Sequence, residues 1–199
     1  GYMARDTKKR RDDLRERLID IAEDEIREHG IASLRARKLA EQAGCAVGAI
    51  YNVFDDMTGL VLAVNGRTFH RMGSNVMATV AEMPSASPVD RLVAIAGGYL
   101  QFASDNPNLW RALFDIEMTS DRDVPEWYMK ELSQLFTIIS GPLAELNPDS
   151  SAQDIDLMTR TLFSSVHGIV LLGLERRISG VPLERMEQMI EYLLRNVTS

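Results

Sequence analysis

Arg37-Lys38-Leu39-Ala40-Glu41-Gln42-Ala43-Gly44-Cys45-Ala46-Val47-Gly48-Ala49-Ile50-Tyr51-Asn52-Val53-Phe54 is the stretch on which the reading of this chain turns. Leu39, Ala40 and Ala43 put flat or small side chains on one face of a short helix, so a second short helix can cross it closely. Gly44 supplies the backbone freedom for the turn between them. Gly48, early in the second helix, leaves room for another helix or for a phosphate backbone. Ile50 and Phe54 are spaced to bury, which leaves Val47, Ala49, Tyr51 and Asn52 facing outward. A short helix, a glycine turn and a second helix with a lightly charged outer face form a helix-turn-helix, a device for placing one helix in the DNA major groove. Tyr51 offers a hydroxyl for a phosphate, and Asn52 a polar tip for a base or a phosphate. Spacing alone leaves a second reading open: an ordinary three-helix subdomain with a glycine turn.

The flanks of this stretch are helical. Leu14, Leu18, Ile21, Ala22 and Ile26 recur at helical spacing and predict a helix from about Thr7 to His29, closed by Gly30 as a left-handed cap. His29 at that C-terminus complements the helix dipole. Asp55-Asp56 stand where a fourth helix begins, and carboxylates favour that end of the dipole. Its stripe is Leu60, Val61, Val64, Thr68, Met72, Val76 and Val80, and it ends before Met83-Pro84. A fifth helix carries Leu92 to Phe102. Asn106-Pro107 opens a sixth that reaches Met118, with Pro107 at its first position. Asp123-Val124-Pro125 starts a seventh through Leu146, Ser150-Ser151 precede an eighth through Leu174, and Val181-Pro182 open a ninth through Val197. The reading is all-α: about nine helices, with a small N-terminal bundle over residues 1–55 and a larger one over 56–199.

Composition narrows the function classes. Over 199 residues the formal net charge is −7, which at first argues against a nucleic-acid partner. Its distribution softens that argument. Arg5 to Arg17 holds seven basic and four acidic residues, and Arg35 to Phe54 holds three and one. Phosphate contact needs a few well-placed cations, not a basic protein. The alternative for Lys8-Lys9-Arg10-Arg11 is a merely solvated tail. No glycine-rich phosphate loop, His-x-x-x-His pair or Ser-His-Asp arrangement is visible, so no enzyme and no cofactor is expected. The single cysteine, Cys45, fits a reducing cytoplasm, and no secretory signal or membrane-length apolar run is expected.

Gly30, Leu39-Ala40-x-x-Ala43-Gly44-x-x-x-Gly48-x-Ile50-Tyr51-x-x-Phe54 and Leu60 together resemble the signature of the TetR family of bacterial repressors. The match runs from about Leu14 to Val64. Asn106-Pro107-x-Leu109-Trp110-x-x-Leu113-Phe114 and Phe163-Ser164-Ser165-Val166-His167-Gly168 resemble a ligand-domain subgroup named for a Trp-His-Gly motif, with Phe163 at the tryptophan position.

The resemblance implies an all-helical homodimer that binds palindromic operator DNA and a small-molecule effector. It puts Arg37 and Lys38 on helix two, and Val47, Gly48, Tyr51 and Asn52 on helix three, at DNA-facing positions. Ala49, Arg35 and the tail residues Lys9 and Arg10 complete the expected DNA-binding set. Two departures stand out. Ala46 replaces the usual capping serine, and Met57 the usual phosphate-reaching lysine.

Behind the reading head, Phe69, Met72, Tyr99, Phe102, Trp110, Phe114, Trp127, Phe163 and His167 are the expected ligand-binding residues. The cavity is expected between the helices that start near Arg67, Val89, Asn108 and Val124. A mostly apolar effector suits such a lining, with His70, Asn75, Tyr99 and His167 to orient it. The first reading of His167 by itself is a core histidine bonded to a neighbouring helix, with ligand orientation as the alternative. No second ligand lies at helical spacing from it, so no metal site is expected. Ser164, Ser165, Gly168 and Gly173 are small, which suits a two-fold four-helix interface built from the last two helices. The functional expectation is a cytoplasmic regulator, a repressor released by its effector, with no membrane contact. An activator, a ligand-independent DNA binder, or a helical interaction protein that has lost DNA binding are the alternatives.

Overall fold

A computed structural model of the chain describes residues 1–117, 124–175 and 180–198. Met118 and the helix start expected at Asp123 lie outside the described residues. Among the described residues there are nine α-helices and no strand. They are α1 Tyr2–His29, α2 Ala36–Ala43, α3 Val47–Val53, α4 Met57–Ala81, α5 Pro88–Asp105, α6 Pro107–Asp115, α7 Glu126–Leu146, α8 Ala152–Leu174 and α9 Leu183–Val197. A 3-10 turn, Ile31–Ser33, follows α1.

The helices sort into two compact units. The first comprises Gly1–Thr68 and Asn106–Val124, the second Phe69–Asp105 and Pro125–Ser199. This division departs from a boundary at residue 55, and the core shows why. Leu18, Ala22, Ile26, Leu39, Ile50 and Phe54 share one buried cluster with Leu60, Ala63 and Val64 of α4 and with Leu109 and Ala112 of α6. Two polar contacts fix α6 there. Asn65, fully buried on α4, donates to the Ala112 carbonyl at 3.1 Å. Asn108 donates to the Arg27 carbonyl at 3.1 Å, satisfying a terminal carbonyl that α1 cannot satisfy itself.

Local geometry follows the residue types. Gly44 takes the left-handed conformation, φ 71 and ψ 35, and its N–H closes α2. Gly30 also has positive φ, but with an extended ψ of 167, so it turns the chain sharply into the 3-10 turn and is not the left-handed helical cap that its position suggests. Asp56 Oδ1 accepts from the Gly59 N–H at 2.8 Å and caps α4. The first helix begins at Tyr2, five residues before the expected Thr7. Apolar periodicity begins only at Leu14, so the earlier turns leave no such signal. They hold instead through local polar contacts such as Asp6–Arg10.

In the second unit, α5 packs on α7 and α9, and α8 on α7 and α9. A side chain at Gly173 would run into Sδ and Cγ of Met186, so this glycine serves the close approach of α8 to α9 within the chain. The expectation that no apolar run reaches membrane length is corrected by α8, whose 23 residues are long and apolar enough to cross a bilayer. Ile155, Thr159, Leu162, Val166 and Val170 bury its inner stripe, and an interior bundle helix has that same composition.

Candidate functional site

The first candidate surface is built by α2 and α3. Ile50 is fully buried and Phe54 nearly so, and together they key α3 into the core cluster. The opposite side of α3 is open. Val47, Gly48, Tyr51 and Asn52 are exposed, Ala49 is half-buried, and Tyr51 presents 47% of its surface. Nothing lies within 4 Å of where a Cβ on Gly48 would stand, so the room at this position faces solvent.

The helix starts here are weakly capped. Ala46 is the N-cap of α3 and Arg35 that of α2, and neither side chain accepts a cap hydrogen bond. At the start of α3 the backbone closes on itself instead, the Ala49 N–H donating to the Ala46 carbonyl at 3.0 Å. Met57 begins α4 half-buried against the core, an apolar anchor at the position where the resemblance would put a phosphate-reaching lysine.

The cations nearby are already partly engaged. Arg35 donates through Nη1 to the carbonyls of Ala32 and Leu34, at 2.9 and 2.8 Å. Lys38 reaches the Glu25 carboxylate of α1 at 3.4 Å. Glu25 is buried, which opposes its charge, yet bonds from Ser33 and Lys38 and the charges of Lys38 and His29 hold its carboxyl below the ordinary value. Arg37 is exposed and makes no ion pair among the described residues. In the tail, Lys9 and Arg10 are exposed, and Arg10 pairs with Asp6 at 3.2 Å.

The second candidate is an aromatic cluster between α5 and α8. Tyr99 Oη lies 2.7 Å from His167 Nδ1. The Phe163 ring stacks on His167 at 5.8 Å and meets Tyr99 edge-on at 5.6 Å and Phe136 at 5.4 Å. Burial pushes the His167 imidazole below its ordinary value, which favours the neutral ring. Phe69 and Met72 of α4 and Phe102 of α5 are buried, and Phe69 packs on Tyr128 with centroids 5.3 Å apart.

The remaining expected ligand residues stand apart from this cluster. Trp110 and Phe114 pack together at 5.7 Å on α6, inside the first unit. Trp127 is 44% exposed. His70 and Asn75 are exposed on α4 and do not turn inward. Arg67 is bound to carboxylates of α1: Asp20 at 2.6 Å, Glu16 at 2.8 Å and Glu23 at 3.9 Å. Sequence reasoning misses this clamp, because Arg67 and its partners are 44 to 51 positions apart and no local spacing links them.

Comparison with known proteins shows the family and the fold. A family model described as "Tetracyclin repressor-like, C-terminal domain" matches residues 92–197, and one described as "Bacterial regulatory proteins, tetR family" matches residues 18–64. The HTH-type transcriptional regulator BetI of Escherichia coli (strain SMS-3-5 / SECEC) is 25% identical over 174 residues, 86% of each chain. A protein with unknown function from Rhodococcus sp. RHA1 has a similar fold, with a TM-score of 0.71 and 21% identity over 92% of this chain and 94% of that one. The transcriptional regulator FadR from Bacillus subtilis, solved in complex with stearoyl-CoA, has a TM-score of 0.66 and 18% identity over 90% of this chain and 96% of its own.

Proposed function

The chain belongs to the TetR family of bacterial regulatory proteins, and we propose that it represses transcription, leaving its operator when a small, mostly apolar effector binds. The observation that carries this reading is the division of α3. Ile50 and Phe54 lock one side into the core, while Val47, Gly48, Tyr51 and Asn52 present the other to solvent.

In this reading α3 enters the major groove, with Tyr51 and Asn52 reaching phosphate and base edges. Ala49 lies along the same helix, and Lys9, Arg10, Arg35, Arg37 and Lys38 supply phosphate contacts. A homodimer presents two such helices to half-sites about 34–36 Å apart. The exposed apolar residues Leu157, Leu171 and Leu172 of α8 and Met189 and Tyr192 of α9 support a two-fold interface there.

Tyr99, Phe163 and His167 form the effector site, with Phe69, Met72 and Phe102 as the apolar surround. The acyl chain of FadR's ligand supports an apolar class. Release requires that the effector bind the off-operator conformation more tightly than the operator-bound one. A protein of this kind acts in the cytoplasm, where the chromosome lies.

The test is salt-dependent binding of the purified chain to duplex DNA from upstream of its own coding region. Binding that weakens steeply with salt and saturates at one dimer per half-site pair supports the reading. Absence of any salt-sensitive binding removes it.

A further inference from the structure

Glu25 lies between α1 and α2, on the buried side of α1 beside Ile26. A carboxylate in such a place must be matched by charge or by hydrogen bonds. Lys38 of α2 matches it: the ammonium stands 3.4 Å from each of the two carboxylate oxygens. His29 Nδ1 lies 3.5 Å from Oε1 of the same group. Burial opposes the charge of Glu25, yet bonds from Ser33 and Lys38 and the charges of Lys38 and His29 hold its carboxyl below the ordinary value, so it stays ionised.

Residues 35–54 hold three cations, Arg35, Arg37 and Lys38. Their states differ. Arg35 donates to two backbone carbonyls, which leave its charge unmatched. Arg37 is exposed and makes no ion pair among the described residues. Lys38 is set against a carboxylate. The two partners are also unequally placed: the Lys38 side chain is 52% exposed and that of Glu25 only 10%. The ammonium can turn toward solvent, but the carboxylate cannot follow it. A phosphate that draws Lys38 outward therefore leaves Glu25 in place without its ammonium, and breaking such a pair on one side is strongly unfavourable. Phosphate and Glu25 compete for one cation.

We infer that Glu25 restrains Lys38 and thereby sets the strength of the reading head's grip on DNA phosphates. This rests on the DNA-binding reading above and goes beyond it, by giving a buried acid of α1 an affinity-setting role. Glu25 is a positioning residue, since it acts through Lys38. Phosphate contacts carry no sequence information, so a restrained Lys38 keeps the sequence-independent part of the affinity low. The exposed side chains of α3 then supply a larger share of the whole.

The experiment uses the full chain and duplex DNA from upstream of its own coding region, with binding followed by fluorescence anisotropy over a range of salt concentrations. Glu25→Gln keeps the shape of the side chain and removes its charge. Glu28→Gln is the control, an exposed carboxylate three residues further along α1. A cation released to a phosphate steepens the slope of log K against log salt by about 0.9, so Glu25→Gln should gain about threefold more affinity than the parent over a fourfold fall in salt. Glu28→Gln frees no cation and should keep the parent slope. The steepening should vanish when Lys38→Met and Lys38→Met/Glu25→Gln are compared. Equal slopes for the Glu25 and Glu28 variants, a flatter slope in Glu25→Gln, or steepening that persists without Lys38 would each overturn the restraint. If the unaltered chain does not bind this DNA, the DNA-binding reading falls and the restraint with it; if it binds and the slopes agree, only the restraint falls. Circular dichroism checks that each variant is folded, and Glu25→Leu, an apolar side chain in the same buried place, replaces Glu25→Gln if that variant does not fold.

Discussion

The Tyr99 hydroxyl and His167 Nδ1, 2.7 Å apart, form a polar contact between α5 and α8 inside an aromatic cluster. His167 is thus both stacked on Phe163 and hydrogen-bonded to Tyr99, and its burial disfavours protonation. The unfolded chain takes up this proton near the ordinary value of 6.5, whereas burial lowers the folded value. Between the two values the unfolded state binds more protons. The stabilisation is therefore complete above about pH 6.5 and is lost as pH falls through the folded value. Thermal midpoints measured across this range should fall more steeply for the parent than for His167→Gln. Parallel curves would show that His167 contributes nothing to the pH dependence.

Tyr51→Ala removes the largest exposed side chain of α3 and leaves Ile50 and Phe54 in place. Operator affinity should drop by roughly tenfold or more, in the range of about 1.5–3 kcal/mol that one hydrogen bond to a charged phosphate supplies. The unfolding free energy from urea titration should stay within about 0.5 kcal/mol of the parent, as for most surface substitutions. Binding curves that superimpose on those of the parent would place the DNA-contacting face elsewhere.

How much is legible in the sequence depends on whether partners are local. The α2–turn–α3 geometry is readable, because Leu39, Ala43, Gly44 and Ile50 stand within a few turns of one another. The placement of α6 is not. Periodicity says that Leu109, Trp110 and Leu113 share an apolar face, but not which core takes it; Asn65 and Asn108 decide that through contacts 47 and 81 positions away in sequence. The same limit applies to the aromatic residues. Tyr99, Phe163 and His167 meet, while Trp110 and Phe114 pair inside the first unit and Trp127 stays half in solvent.

Gly30→Ala tests backbone strain. With φ 87 and ψ 167, this residue occupies a region open almost only to glycine. Space is not the obstacle, since the nearest atom to an added Cβ is Asn108 Oδ1 at 3.7 Å. The substitution should cost about 1–3 kcal/mol from the conformation alone. Urea unfolding should show a lower midpoint with an unchanged slope; an unaltered midpoint would mean that the turn relaxes freely.

Arg67→Met removes the cation that Asp20, Glu16 and Glu23 share, while keeping much of the aliphatic stem. Glu16 and Asp20 are exposed and lose little; the Glu23 side chain is largely buried and loses more. A net loss of about 1 kcal/mol is expected, because most of the cluster is screened by solvent. The difference from the parent should shrink as sodium chloride is raised, since salt screens the exposed part of the cluster. A salt-independent difference would assign the effect to packing of the Arg67 stem instead.

The proposed two-fold interface rests on apolar side chains that the chain leaves in solvent. Leu157 and Leu172 on α8 present 65% and 55% of their surface, and Tyr192 on α9 presents 73%. Leu157, Thr161, Ser164, Gly168 and Leu172 follow one another at three- and four-residue steps, so they line a single stripe of α8 with a small-residue centre. A charge placed on that stripe meets its own copy across a two-fold axis, and like charges brought together in a desolvated interface are strongly unfavourable. Leu172→Glu should therefore convert a dimer to a folded monomer, read as a halved mass by light scattering with helical circular dichroism retained. It should also weaken operator binding far more than binding to a single half-site, because only the dimer spans both. A variant that remains dimeric at micromolar concentration would place the subunit contact on another face of the second unit.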